Sequence, residues 1–388
     1  MHRHFGLLIF PFSKLLAINR QFHGYRPRVF DYNYLFFLSK IYQTKTSSRN
    51  FIIFLFSDII PTMDSTDKKT LLSGVKPTGR PHIGNYFGAM KQFVELQDQY
   101  QSYIFIADLH ALTTARDPKR LKADTLDLAI DYLAIGLDPE KVVFFKQSNV
   151  LEHANLAWIF NCLTTMPYLA RAHAFKDAEA KSKEVNVGLF DYPILMAADI
   201  LIYDTDVVPV GQDQKQHVEI ARDTAEKFNF AYGETFKLPE PLIMENVKTI
   251  PGIDGQKMSK SYGNTISLFA EEKEIKRLVM AIKTDSKGVE EPKNPEECSV
   301  FAMHKLFSKE QLPEIKKRYV EGGIGYKESK EILIENMNKY LAPLREKRAE
   351  IAKNPDEVLQ ILKNGANLAR EQAKFKMNEV RKNVGIDL

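Results

Sequence analysis

The chain has 388 residues, 44% of them hydrophobic and 27% charged, with a net charge of +4. That length allows two domains and a sizeable core, and the balance is that of a soluble globular protein. Its two cysteines, Cys162 and Cys298, are far apart and outside any CxxC or His/Cys cluster, which excludes a disulfide scaffold and a zinc site. No apolar run approaches the ~18 residues of a membrane span, so no membrane partner is expected.

The net charge averages over unlike parts. Residues 1–62 hold eight Lys or Arg against two acids, Asp31 and Asp58, together with ten Phe and four Tyr. This is not the composition of a packed domain. It suits a transit peptide, a leader preceding a true start at Met63, or a membrane-surface anchor through the apolar runs 5–12 and 51–56. The wealth of large aromatics favours the second reading, which implies a cytoplasmic protein; a transit peptide would imply a mitochondrial one. Residues 63–388 sum to −2, while residues 301–388 alone carry 18 Lys or Arg against 13 acids. A basic end on an acidic body fits contact with a polyanion, and on charge alone it fits a solvated helical surface equally.

In chain order, residues 71–75 read as a short apolar strand that turns at Pro77-Thr78-Gly79-Arg80-Pro81 into a helix over 83–96. Strands are expected at 103–107, 142–147 and 206–210. Helices are expected over 119–135 and from about 154. Strands alternating with helices predict a parallel sheet with crossover helices. From about 271 onward the pattern is helical, punctuated by Gly322-Gly323 and Pro355. The expected fold is α/β: a doubly wound, Rossmann-like nucleotide-binding domain over 63–262, then a helical domain over 263–388.

Ligands of such sheets bind at the carboxyl ends of the strands, against the N-terminus of the first crossover helix. Here the junction reads Lys76-Pro77-Thr78-Gly79-Arg80-Pro81-His82-Ile83-Gly84-Asn85, neither a dinucleotide fingerprint nor a P-loop. Thr78, His82 and Asn85 offer donors for phosphate oxygens, and Gly84 permits close approach. A helix-capping turn with an incidental histidine would look the same. Downstream, Lys257-Met258-Ser259-Lys260-Ser261 follows a glycine-bearing segment over 252–256. Two lysines three apart on a flexible loop can neutralise charge building up on a triphosphate.

Together, His82-Ile83-Gly84-Asn85 and the 257–261 motif resemble the HIGH and KMSKS signatures of the class I aminoacyl-tRNA synthetases. More narrowly, the chain resembles the bacterial-type tryptophanyl-tRNA synthetases, over about 71–388 and not over 1–62. The most specific stretches are residues 73–79, Met196-Ala197-Ala198-Asp199-Ile200-Leu201, and Val210-Gly211-Gln212-Asp213-Gln214-Lys215-Gln216-His217.

The resemblance implies a HUP-type Rossmann-like fold, ATP with Mg²⁺ and no protein metal site, L-tryptophan and tRNA(Trp) as substrates, and a homodimer. It implies catalytic roles for His82, Asn85, Lys257 and Lys260. ATP would be bound by Lys76, Pro77, Thr78, Gly84, Asn85, Gly211, Gln212, Asp213, Ile250, Lys257, Met258, Ser259, Lys260 and Ser261. Asp199 would accept the indole N–H, the one polar atom of that ring. Met196, Val208 and Val210 would form the pocket walls, with Tyr192, Gln214 and His110 near the amino acid. Two positions depart from the common pattern: Lys76 stands where many relatives have Gln, and Leu72 where many have Phe. Alternatives are a tyrosyl-tRNA synthetase, a small-molecule nucleotidyltransferase of the same superfamily, and a catalytically silent RNA-binding relative.

Overall fold

The computed structural model describes residues 68–171, 186–211, 214–243 and 250–387. The segment 1–62 and the sites expected at Gln212 and Asp213 lie outside the described residues. Asp67 to Leu388 forms one compact unit.

Five strands make a parallel sheet: β1 (Thr70–Val75), β2 (Gln101–Ile106), β3 (Val142–Lys146), β4 (Val207–Val210) and β5 (Glu240–Ile243), in the order β3-β2-β1-β4-β5. β1 leads into α1 (Ile83–Asn85), a π-helical turn at Tyr86–Met90 and α2 (Lys91–Leu96). α3 (Asp108–Ala111) and α4 (Pro118–Ala134) lie between β2 and β3. α5 (Glu152–Asn161), α6 (Met166–Ala170) and α7 (Val187–Leu201) precede β4, and α8 (Lys215–Tyr232) joins β4 to β5. The rest is helical: α9 (Glu272–Met280), α10 (Ser299–Phe307), α11 (Leu312–Glu321), α12 (Tyr326–Ile351) and α13 (Pro355–Val384).

Local chemistry accounts for several boundaries. Asp117 caps α4 by accepting from the Lys119 and Arg120 amides, with Pro118 at the first helical position, where its missing N–H costs nothing. The single helix expected over 83–96 is instead broken by the π turn, whose Tyr86 hydroxyl lies 3.1 Å from that of Tyr340 on α12. β5 had no counterpart in the sequence pattern, because Pro239 and Pro241 flank and enter it. It pairs with β4 alone, and an edge strand can hold a proline without losing a ladder bond.

Alternation along the strands builds two cores. Leu71, Ile104 and Phe144 face one, while Leu72, Phe105 and Phe145 face the other, as the period of two requires. The first core continues into Val300, Leu333, Met337 and Leu341, so burial runs unbroken past residue 262. The second takes in Ala366, Ala369 and Ala373 of α13, the helix that covers edge strand β3.

The docking of α13 hinges on Gly365, where an added Cβ would stand 2.0 Å from the Phe144 carbonyl oxygen. Helix propensity alone favours alanine there by about 1 kcal/mol. The opposing atom is backbone and cannot swing aside, so the clash wins. Gly365→Ala is expected to lower stability by about 1–3 kcal/mol, seen as a lower denaturant midpoint at unchanged slope. A raised midpoint would contradict this packing.

Candidate functional site

The strand order reverses between β2 and β4 on either side of β1, the place where open α/β sheets form a ligand crevice. A cavity of about 800 Å³ opens there. Of the residues expected from sequence, Lys76, Thr78, His82, Asn85, His110, Tyr192, Met196, Asp199, Val208, Val210, Gly211, Gln214, Ser259 and Lys260 line it. Pro77, Gly84, Ile250, Lys257, Met258 and Ser261 do not. Ile250 and Met258 are instead core residues, joined by a Met258 N–H to Ile250 carbonyl bond of 2.9 Å.

At the end of the cavity formed by the turn after β1, His82 caps α1 reciprocally. Its Nδ1 accepts from the Asn85 amide at 3.2 Å, and its own amide donates to Asn85 Oδ1 at 3.1 Å. With Nδ1 accepting, the neutral ring carries its proton on Nε2. Burial and the nearby Lys260 charge lower the His82 pKa to about 4, so the neutral form is the one present near pH 7. Gly84 has a local reason as well, since a Cβ there would lie 2.8 Å from His82 Nδ1.

The two signatures are stitched together. Residues 82 and 267 form an antiparallel bridge, with the Ile83 amide donating to the Ile266 carbonyl and the Leu268 amide to the Pro81 carbonyl, both at 3.0 Å. Lys260 Nζ reaches across to donate to the carbonyls of Thr78 and Gly79, each at 2.9 Å. The glycine-bearing segment is a tight hairpin, closed by a Gly252 N–H to Gln256 carbonyl bond of 2.7 Å. Asn264 organises it: buried, it accepts from the Ser259 amide and donates to Asp254 and to the Lys257 carbonyl. A side chain at Gly252 would meet Asn264 at 2.4 Å. Nothing in the local sequence announced Asn264, because its partners are set by the hairpin's closure.

The opposite end is apolar around one carboxylate. Asp199 sits on α7, one helical turn from Met196, and both line the cavity. Its Oδ2 lies 2.7 Å from His110 Nε2, while Oδ1 accepts from Gln147 Nε2 at 2.8 Å and meets His153 Nδ1. Burial by itself would raise the Asp199 pKa, but charge and hydrogen bonds from His110 and His153 hold it below the usual carboxylate range. Gln147 and His153 were not foreseen. A signal for His153 existed, since it shares the buried stripe of α5 with Leu156, Ala157 and Phe160. A histidine in an apolar stripe needs a polar partner inside the core.

Lys76 lines the cavity with its Nζ 5.3 Å from the centre of the Tyr192 ring, and desolvation lowers its pKa. The Tyr192 hydroxyl is 3.1 Å from His217 Nε2. Beneath the turn, buried Asp131 of α4 pairs with Arg348 of α12, and Arg80 approaches it at 3.9 Å. Burial raises the Asp131 pKa to about 6 against the pull of Arg348 and Arg80. The turn bearing the first signature is thereby tied to the C-terminal helices.

Comparison with known proteins agrees with this geometry. Residues 64–342 match the family of class I tRNA synthetases for W and Y. A tryptophan–tRNA ligase of Fusobacterium nucleatum is 50% identical over 321 residues, spanning 82% of this chain and 98% of the relative. One of Rhodopirellula baltica is 47% identical over 317 residues, 81% of this chain and 99% of the relative. The tryptophanyl-tRNA synthetase of Campylobacter jejuni in complex with ADP and tryptophan matches with a TM-score of 0.77 at 46% identity, over 81% of this chain and 99% of that one. A tyrosyl-tRNA synthetase of Archaeoglobus fulgidus, at 20% identity and a TM-score of 0.55, shares the fold. On its sequence, its sheet and its two stitched signatures, the chain belongs to the class I aminoacyl-tRNA synthetases, in the bacterial-type tryptophanyl-tRNA synthetase family.

Proposed function

We infer that this chain is a tryptophan–tRNA ligase that activates L-tryptophan with ATP and transfers it to tRNA(Trp). The observation that carries the reading is one cavity with an apolar, carboxylate-ended pocket at one side and residues of both signatures, His82, Asn85, Ser259 and Lys260, at the other. In that reading the tryptophan carboxylate attacks the α-phosphorus of ATP in line. The bond to the β-phosphate bridge breaks, pyrophosphate leaves, and tryptophanyl-adenylate remains. The 2′-hydroxyl of the terminal tRNA adenosine then attacks the acyl carbon and AMP departs. Neither step requires a protein nucleophile.

His82 Nε2, Asn85, Lys257 and Lys260 would bind and stabilise the phosphates, the two lysines neutralising charge as it moves toward pyrophosphate. Asp199 would accept the indole N–H between Met196, Val208 and Val210, with Tyr192, Gln214 and His110 around the amino-acid backbone. Among the described residues no cluster of His, Cys, Asp or Glu could hold a metal ion. Magnesium arriving with ATP would supply further charge neutralisation beside Lys260.

We assign residues 63–262 to the nucleotide chemistry and 263–388, with their basic end, to tRNA. A homodimer is supported by the exposed apolar side chains of Leu112, Leu151, Trp158, Met166 and Val187. Leu151 and Trp158 are seven residues apart at α5 and so share a face. The cytoplasm is the compartment this reading implies.

The test is amino-acid-dependent ATP–pyrophosphate exchange by the full chain. Exchange is expected with tryptophan and not with tyrosine. Exchange driven by tyrosine would overturn the assignment of substrate, and folded protein inactive with both would favour a silent relative.

A further inference from the structure

Three buried side chains stand behind Asp199 and do not line the cavity: Gln147, His153 and Tyr203. Gln147 follows β3, His153 is on α5, and Tyr203 follows α7. Gln147 Oε1 accepts from the amides of Leu109 and His110 at 3.2 and 3.4 Å, which orients its Nε2 as a donor to Asp199. A carboxylate only accepts, so His153 Nδ1 must carry a proton toward it. On the other side of that ring, Nε2 lies 2.7 Å from the Tyr203 hydroxyl. The Tyr203 phenol is buried beside the Asp199 charge, which raises its pKa well above the ordinary value. It therefore keeps its proton, and its ring is stacked on Tyr103 with centres 4.5 Å apart.

The contacts run unbroken from end to end: the Tyr203 hydroxyl to His153 Nε2, and His153 Nδ1–H to Asp199 Oδ1. That oxygen is occupied by two donors, whereas among the described residues Oδ2 meets His110 alone and keeps a lone pair for a ligand. A terminal carboxylate torsion is otherwise broad and poorly defined.

We propose that His153 and Tyr203 are positioning residues that anchor Asp199 from behind, so that recognition of the indole N–H depends on two side chains that never touch the ligand. The inference rests on the assignment of Asp199 as the indole acceptor. Its consequence is selective. Loosening the anchor penalises a substrate that donates to Oδ2 and spares one that fills the same space without donating.

The experiment measures kcat/KM in pyrophosphate exchange for tryptophan and for its isostere with sulfur in place of the indole N–H. Full-length protein is compared with His153→Asn, Tyr203→Phe and Asp199→Asn. His153→Asn is expected to reduce the tryptophan-to-isostere ratio about 10-fold, the lower end of the usual effect of residues that orient a ligating group. Tyr203→Phe should reduce it in the same direction by less, and Asp199→Asn at least as far as His153→Asn. Equal losses for both substrates in His153→Asn and Tyr203→Phe would make them merely structural and overturn the inference. A ratio unchanged in Asp199→Asn would instead overturn the assignment of Asp199 on which it rests. Tyr203→Phe removes one oxygen and leaves the ring stack, so it decides the matter where His153→Asn fails to fold.

Discussion

Replacing Lys260 with alanine is expected to lower kcat for tryptophan-dependent pyrophosphate exchange by about 10²–10³-fold, the scale of losing one preorganised charge donor. The Lys260 ammonium donates to the Thr78 and Gly79 carbonyls, beside the turn that would carry the phosphates. It is therefore held close to its site of action while engaged with weak, neutral partners. Charge that develops on departing pyrophosphate offers a stronger one, so its binding energy is realised in the transition state and not in the ground state. The KM for tryptophan should move by less than about threefold, as for an interaction made only in the transition state. Parallel losses in kcat and in tryptophan affinity would contradict that role. Both carbonyls are near the surface, where water replaces the lost donor, so the variant should fold normally.

The second large effect separates two duties of one histidine. His82 Nδ1 is the acceptor that caps α1, and the residue lines the cavity with Nε2–H as its remaining donor. His82→Ala should cost about 1 kcal/mol of stability, the usual value of an N-cap, and lower exchange by about 10²-fold. His82→Asn restores a capping oxygen but supplies no donor at the Nε2 position. It should recover the stability and leave exchange as low as in the alanine variant. Recovery of exchange by asparagine would reduce His82 to a cap.

The same histidine carries a pH signature. Burial, then the Lys260 charge, lowers its folded pKa to about 4 from 6.5. Unfolded chains take up the proton first as pH falls, so the contribution is complete above pH 6.5 and is lost on descending toward 4. The loss reaches about 3 kcal/mol at most. His82→Asn should flatten that part of the stability profile, measured by denaturant midpoints across the range.

Much of this site could be read from the chain before its coordinates, and the failures have physical causes. His82, Asn85 and Lys260 were legible because short motifs act through their own backbone: a capping box spans three residues, and a lysine loop needs only glycine nearby. Asp199 was reached only through the resemblance carried by residues 196–201; its spacing from Met196 said no more than that the two share a helix face. Lys76 was expected at the site, but its contact with the Tyr192 ring was not legible. A residue at the end of a strand can point to either side of a crevice, and only the neighbouring α7 chose. β5 was hidden by its prolines until β4 supplied a partner.

By itself the sequence determined the alternation of strands and helices, the caps, and the two signatures in their order, all consequences of forces acting over a few residues. The tertiary structure alone decided how distant groups are satisfied. Lys260 meets Thr78 across 182 residues, and Asp199 meets His153 and Gln147 across 46 and 52. A buried polar group must find a partner or pay heavily for its desolvation. Which partner it finds is set by packing between elements, a property of the folded chain that no local pattern encodes.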